Sequence, residues 1–392
     1  MNSPAPRTGS ARRFDVAIRG AGVVGQTLAL LLARDRLRVA LVGSPRSPQD
    51  QPDVRAYAIN AASRELLRSV RAWPEVDPQD TRPTPITPVS AMQVWGDEGG
   101  ELQFSADDQG AEALTWIVDV PALEQRLSDA VGFQAGIECM SEAPPAALTV
   151  VCEGKRSQTR EELGLAFDVR PYAHKAVAAR LRCEQPHGGV ARQWFTQGEV
   201  MALLPLGGAQ GNSVALVWSV PAQQAQAWLQ ADPTTFTQAV QARCAQALGH
   251  MHMESPAQAW PLELARAQRW ITRTAQGGVA LAGDAAHAMH PLAGQGLNVG
   301  LADVAELARV LQQREDWREL GDLKLLRRYE RARQADVQAM GLVTDGLQRL
   351  FAQPGPVWQN LRNWGMQGFD RSGPIKHWMT QQAMGQSAPG SR

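Results

Sequence analysis

The sequence predicts an α/β protein: a doubly wound, largely parallel sheet interwoven with an antiparallel sheet, followed by a helical C-terminal region. Three observations carry this reading. A β-α-β pattern opens the chain over residues 14–42, short alternating runs with glycine-rich turns fill residues 90–220, and a helical pattern starts near residue 322. The chain has 392 residues and 42.5 kDa, more than one hydrophobic core usually organises. At 44% hydrophobic and 20% charged residues it can bury a core, which excludes global disorder.

The elements follow in order. Residues 14–19 (FDVAIR) read as a strand, GAGVVG as a turn, residues 23–35 as a helix and residues 39–42 as a second strand. Residues 44–53 are rich in Pro, Ser and Asp and read as loop; residues 63–70 read as helix, and the proline-rich stretch 74–88 as an irregular connection. Runs at 90–95, 101–104, 174–183, 188–197, 200–206 and 213–220 read as an antiparallel sheet. Between them, 123–131 reads as helix and 147–152 as a strand of the parallel type. A buried strand at 279–282 and a helix at 297–312 follow. The chain therefore weaves between two sheets. The expected division is 14–85, 111–170 and 271–320 for the parallel body, 86–110 and 171–270 for the antiparallel sheet, and 321–392 for the helical region.

Lys+Arg and Asp+Glu both number 39, so no global field draws the chain to nucleic acid. The four cysteines (139, 152, 183, 244) include no C-x-x-C pair, which suits a reducing compartment and argues against a disulfide scaffold or a zinc site. The first residues lack an apolar run of the signal-peptide kind, and Leu28–Ala33 is far shorter than the roughly 20 residues of a bilayer span. The expectation is a cytoplasmic protein, at most peripheral to the inner face of a membrane.

Gly20-x-Gly22-x-x-Gly25, with Val24 inside it, stands between a strand and a helix. The first glycine permits a tight turn, the second lets the backbone approach a pyrophosphate, and the third allows close helix–sheet packing. The acidic residue expected at the end of the second strand is absent: the chain reads Val42-Gly43-Ser44-Pro45-Arg46. Ser44 remains as a weaker ribose partner, and Arg46 suits a 2′-phosphate, which keeps a plain NADP dehydrogenase open as a reading. Residues 281–300, LAGDAAHAMHPLAGQGLNVG, oppose it. There a strand delivers Gly283-Asp284, whose carboxylate can accept hydrogen bonds from sugar or ribityl hydroxyls. A Pro/Gly loop then feeds a helix whose N-terminal N–H groups would stabilise negative charge on a flavin edge. His287 and His290 form an H-x-x-H pair without a cysteine close by in sequence, and no metal is expected.

This segment resembles the signature of the UbiH/UbiF/VisC group of ubiquinone-biosynthesis hydroxylases, class A FAD-dependent aromatic monooxygenases. The resemblance runs nearly end to end, through Asp53-x-Arg55 with Ala58, MQVW, TWIVD, PHGGVA, ALLPL, HPLAGQGLNVGLAD (290–303) and the tail RYERARQADVQAM. It implies a Rossmann-like FAD-binding fold, FAD as cofactor and NAD(P)H as co-substrate. It implies an FAD pyrophosphate at Gly20, Gly22 and Gly25, with Val24 between them, and a cofactor contact from Arg55. Gly283 and Asp284 would bind the ribityl chain, Gly294, Gln295, Gly296, Leu297 and Asn298 would face the isoalloxazine, and His290 and Pro291 would line the space above the ring. Glu153-Gly154 stands where the family has Asp-Gly, a motif tied to both FAD and the pyridine nucleotide; Gly43 replaces the ribose acid, and Val120 a polar residue.

The implied reaction hydroxylates a polyprenylated phenol with O2 through a flavin C4a-hydroperoxide, alongside other ubiquinone-biosynthesis proteins. Two alternatives stay open: a hydroxylase of another hydrophobic aromatic, and a flavin-fold subunit with weakened FAD binding and no catalysis. The aromatic and basic C-terminal stretch 351–380 suggests peripheral membrane contact, or packing on the catalytic body.

Overall fold

A computed structural model describes residues 14–43, 54–74, 84–96, 100–196, 198–208, 210–288 and 296–352. In chain order the elements are β1 (Phe14–Arg19), α1 (Val23–Arg34), β2 (Val39–Val42), β3 (Ala56–Ile59), α2 (Ala61–Ser69), β4 (Ile86–Val89), β5 (Ala91–Trp95), β6 (Glu101–Ser105) and β7 (Thr115–Asp119). Next come α3 (Val120–Gly132), β8 (Ile137–Met140), β9 (Ala146–Val151), α4 (Gln158–Glu162), β10 (Phe167–Cys183), β11 (Val190–Thr196), β12 (Glu199–Leu206) and β13 (Ser213–Pro221). The last are α5 (Ala222–Gln230), α6 (Pro233–Arg243), β14 (Met251–Met253), β15 (Gln258–Ala267), β16 (Ile271–Arg273), β17 (Gly278–Leu281), β18 (His287–Ala288), α7 (Gly296–Gln312) and α8 (Leu323–Ala352).

Six strands form the first sheet, in the order β16-β17-β9-β1-β2-β8. β1 runs parallel to β2 and to β9, β17 runs parallel to β9, and β16 closes the edge antiparallel to β17. Val39–Val42 and Gly278–Leu281 are buried along their whole length, as strands covered on both faces must be. α1 packs on α3 and α7, and the three helices share one apolar core with this sheet.

The second sheet has nine strands, with β10 paired to β13 on one side and to β14 and β15 on the other. It is not wholly antiparallel: β11 runs parallel to β5. β5 enters from a distant part of the chain, so no hairpin sets its direction. A third, three-stranded sheet, β3-β7-β4, joins the two bodies. β4 arises inside the proline-rich stretch read as irregular. It is tolerated because β4 is an edge strand with Pro88 facing solvent.

α5 and α6 were not expected. They cover the second sheet, where Ala225, Phe236 and Val240 pack on the fully buried Trp218. α6 carries a legible start: Asp232 accepts from the N–H groups of Thr234 and Thr235, and Pro233 occupies the first turn.

The first half of α8 belongs to the parallel-sheet core, where Leu325, Leu326 and Tyr329 are buried. The Tyr329 hydroxyl donates to the Leu281 carbonyl at 2.8 Å, and the Trp270 N–H donates to Glu330 Oε1 at 2.8 Å. Residues 353–392, including Trp358, Trp364, Phe369 and Trp378, lie outside the described residues. Among the described residues no helix is long and apolar enough to cross a membrane.

Candidate functional site

The turn from β1 into α1 is held by two close backbone approaches. Gly20 has φ +113°, and a methyl group there would lie 2.3 Å from the Cys152 carbonyl oxygen. One at Gly25 would lie 1.9 Å from the Gly20 carbonyl oxygen. Gly22 is different: nothing lies within 4 Å of its missing side chain. It is the N-cap of α1 and supplies no side-chain cap, so the first-turn N–H groups are left to a ligand or water. Val24 does another job. Methyl groups added at Gly283 and Gly300 would lie 3.3 Å and 3.0 Å from its side chain, so Val24 sets the spacing between α1, the turn after β17, and α7.

Gly43, at the end of β2, has φ +121°, a conformation that L side chains rarely adopt. A glutamate placed there to restore the ribose acid would be strained, so its effect on affinity would not isolate the missing carboxylate. Ser44 lies outside the described residues.

Glu153 is engaged within its own loop. Its carboxylate accepts from Ser157 Oγ (2.7 Å), Thr159 N (3.0 Å), Thr159 Oγ1 (2.6 Å) and Arg19 Nε (3.1 Å). Partial burial alone would raise its pKa, but the hydrogen bonds from Thr159 and Ser157, aided by Arg19, lower it. Gly154 turns the chain with φ +78° and open space before it. Arg160, missed by sequence reasoning, is buried and donates through Nη1 to the Ala285 carbonyl (3.2 Å) and through Nη2 to the Lys155 carbonyl (3.0 Å). Its guanidinium lies 3.6 Å from the Phe167 ring centroid. The Glu153 loop is thereby tied to the turn that carries Asp284.

Gly283 has φ +62° and precedes Asp284, whose side chain is exposed although protein atoms crowd around it. The carboxylate is thus open to a ligand or water. The crowding raises its pKa, Asp303 adds to the rise, and His287, Lys155 and Arg55 oppose it. Arg55 also lies 5.8 Å from the Tyr57 ring centroid. The positive charges of Lys155, which is ion-paired with Glu263, and of Arg55 thus act on Asp284.

Gly296 opens α7 with nothing within 4 Å of its missing side chain, while Leu297 packs against the core. Asn298 is committed to protein: its Nδ2 donates to the Ala58 carbonyl (2.7 Å) and its Oδ1 accepts from Asn60 N (3.1 Å). It holds the start of α7 against β3. His290, Pro291, Gly294 and Gln295 lie outside the described residues.

Sequence reasoning also missed Asp303. Fully buried, it accepts from Gly283 N (2.9 Å) and His287 Nε2 (2.6 Å) on one oxygen and from Arg333 Nε (2.8 Å) on the other. It stands in the quoted motif, but its partners lie 16 to 30 residues away, so no local signal reveals its task.

This donor set fits FAD. An uncapped helix start at Gly22 suits a pyrophosphate, the exposed Asp284 carboxylate suits hydroxyls, and the start of α7 at Gly296, with nothing among the described residues within 4 Å of an added side chain, suits an electron-rich ring edge. A separate open groove of 2040 Å³, lined by Asp119, Arg126, Arg180, Arg182, His252 and Glu254 among others, includes none of these residues.

Residues 142–342 match the model of a family described as FAD binding domain. The chain is 30% identical to the ubiquinone hydroxylase UbiL of Rhodospirillum rubrum, over 97% of this chain and 92% of that one. It is 29% identical to the 3-demethoxyubiquinol 3-hydroxylase of Escherichia coli, over 95% of this chain and 98% of that one. Among solved structures, PqsL of P. aeruginosa in complex with 2-aminobenzoylacetate superposes with a TM-score of 0.74 at 21% identity, over 91% of this chain and 100% of that one. Klebsiella pneumoniae HpxO complexed with FAD gives 0.68 at 15% identity, over 96% of this chain and 100% of that one. These two show a shared fold.

Proposed function

The chain belongs to the FAD-binding-domain family, whose full-length relatives include ubiquinone hydroxylases, and from that premise we propose that it is an FAD-dependent monooxygenase hydroxylating a polyprenylated phenol in ubiquinone biosynthesis, with NAD(P)H and O2 as co-substrates. The observation that carries this reading is the packing of two helices at their first turns, α1 after Gly22 and α7 after Gly296, through Val24 against Gly283 and Gly300. A protein that bound only a nicotinamide dinucleotide would have no use for the second.

When bound, FAD supplies the electron transfer and oxygen activation. The chain supplies position. The α1 first turn holds the pyrophosphate through backbone N–H groups, and Asp284 accepts from the ribityl hydroxyls. The N-terminus of α7 stabilises charge at the ring edge, and Asn298 locks that helix start to β3. His290 and Pro291 would line the ring face, and Arg55 would contact the cofactor. The division into an FAD body, a substrate sheet and a C-terminal helical region is part of the same proposal. So is peripheral contact with the inner face of the membrane, because a prenylated phenol partitions into the bilayer.

The test is spectral and then kinetic. Purified protein reconstituted with FAD is expected to show two flavin bands that bleach with NAD(P)H, and a prenylated phenol should accelerate the bleaching and gain one oxygen atom from ¹⁸O2. Acceleration by other aromatics alone would redirect the substrate assignment. Protein that stays colourless at saturating FAD would overturn the enzyme reading in favour of a non-catalytic subunit.

A further inference from the structure

We infer that Asp303 is the positioning residue of the flavin site: it fixes the peptide that precedes Asp284 by tying the turn after β17 and His287 to α7 and α8. The inference rests on the reading that the chain binds FAD. His287 lies on β18 and Asp303 on α7; their side chains meet at 2.6 Å. The same Asp303 oxygen accepts from the N–H of Gly283, the residue immediately before Asp284. Arg333 on α8 completes the cluster, donating from Nε to Asp303 Oδ1 (2.8 Å) and from Nη2 to the Val299 carbonyl in the first turn of α7 (3.4 Å). One carboxylate thus joins the turn after β17, β18, α7 and α8. Trp270 lies against the His287 ring with centroids 5.0 Å apart, restricting its rotation.

Stability does not explain a charge cluster in this place. Asp303 is wholly buried and the Arg333 side chain is 8% exposed. Replacing such a pair by packed apolar residues is often neutral or stabilising, so what the charges add is direction. An apolar pair would fill the space but could not accept from the Gly283 N–H, and so could not orient that peptide.

The test separates orientation from stability. In Asp303→Asn one carboxylate oxygen becomes an amide donor, so either Arg333 Nε or the pair Gly283 N and His287 loses its acceptor. FAD affinity, read from fluorescence quenching, is expected to fall about tenfold or more, the loss of a hydrogen bond to a charged group. The visible circular dichroism of bound FAD should change, while the far-ultraviolet spectrum of the apoprotein does not. In the double variant Asp303→Leu with Arg333→Met, the apoprotein Tm is expected above that of Asp303→Leu alone, because Arg333 is no longer left as a buried charge without Asp303, with FAD affinity still reduced about tenfold. His287→Leu cuts the tie from the other end without unpairing Arg333, and gives the same readout should the aspartate variants not fold. Unaltered FAD affinity and visible dichroism in the variants that fold would overturn the inference, as would failure of all three to fold, which would make the cluster a condition of folding. An unaltered protein that binds no FAD would overturn the prior reading with it.

Discussion

At the scale of single residues, the backbone and the hydrogen bonds decide what each group is free to do. Glu153 is a carboxylate at a family motif, yet its oxygens are taken by Ser157, Thr159 and Arg19, so its first role is to hold a loop. Its pKa in the folded protein is lowered, so its contribution to stability is complete above the unfolded value near 4.5 and is lost as pH falls through the lower, folded value. Melting temperatures from pH 7 downward should therefore fall less steeply below the ordinary glutamate range in Glu153→Gln than in the unaltered protein. At neutral pH that variant should be less stable by about 1–3 kcal/mol. Gly43 makes the opposite point. Its φ of +121° disfavours any side chain, and Gly43→Ala should lower stability by about 1–2 kcal/mol in a thermal melt, before any question of cofactor affinity.

Between elements, the docking of helices on the parallel sheet positions the candidate site. α8 reads in sequence as the start of the C-terminal helical region, and Tyr329 packs its first half into the sheet's own core. Tyr329→Phe keeps the packing but leaves the Leu281 carbonyl without its donor, and should cost about 1–3 kcal/mol in urea unfolding. The short elements show where local patterns suffice. β1, α1 and β2 were legible because two periodicities and three glycines lie within thirty residues. The parallel pairing of β11 with β5 was not, because strand direction across a long connection leaves no mark on either strand. α6 could have been found: Asp232 followed by Pro233 is a helix start that needs no tertiary knowledge.

At the scale of the molecule, the two largest apolar cores among the described residues lie under the parallel sheet and between the large sheet and α5 with α6. The candidate FAD residues belong to the first body and to the β3 edge that Asn298 grips. Binding should therefore stabilise that body by mass action: raising free FAD to a hundred times its Kd should add about 2.7 kcal/mol, seen as a Tm that climbs with cofactor concentration. A Tm independent of FAD would contradict the site.

The sequence by itself determined the α/β class, the glycine turn, the Gly283-Asp284 strand end and the family, because each is a local consequence of backbone geometry or an ordered string of residues. Only the tertiary structure decided which polar groups are free. Asp284 is left exposed, whereas Glu153, Asn298 and Asp303 are committed to protein. Availability depends on partners as far off in sequence as Arg19, Ala58 and Arg333, and a buried carboxylate and an exposed one are the same letter until the chain has folded around them.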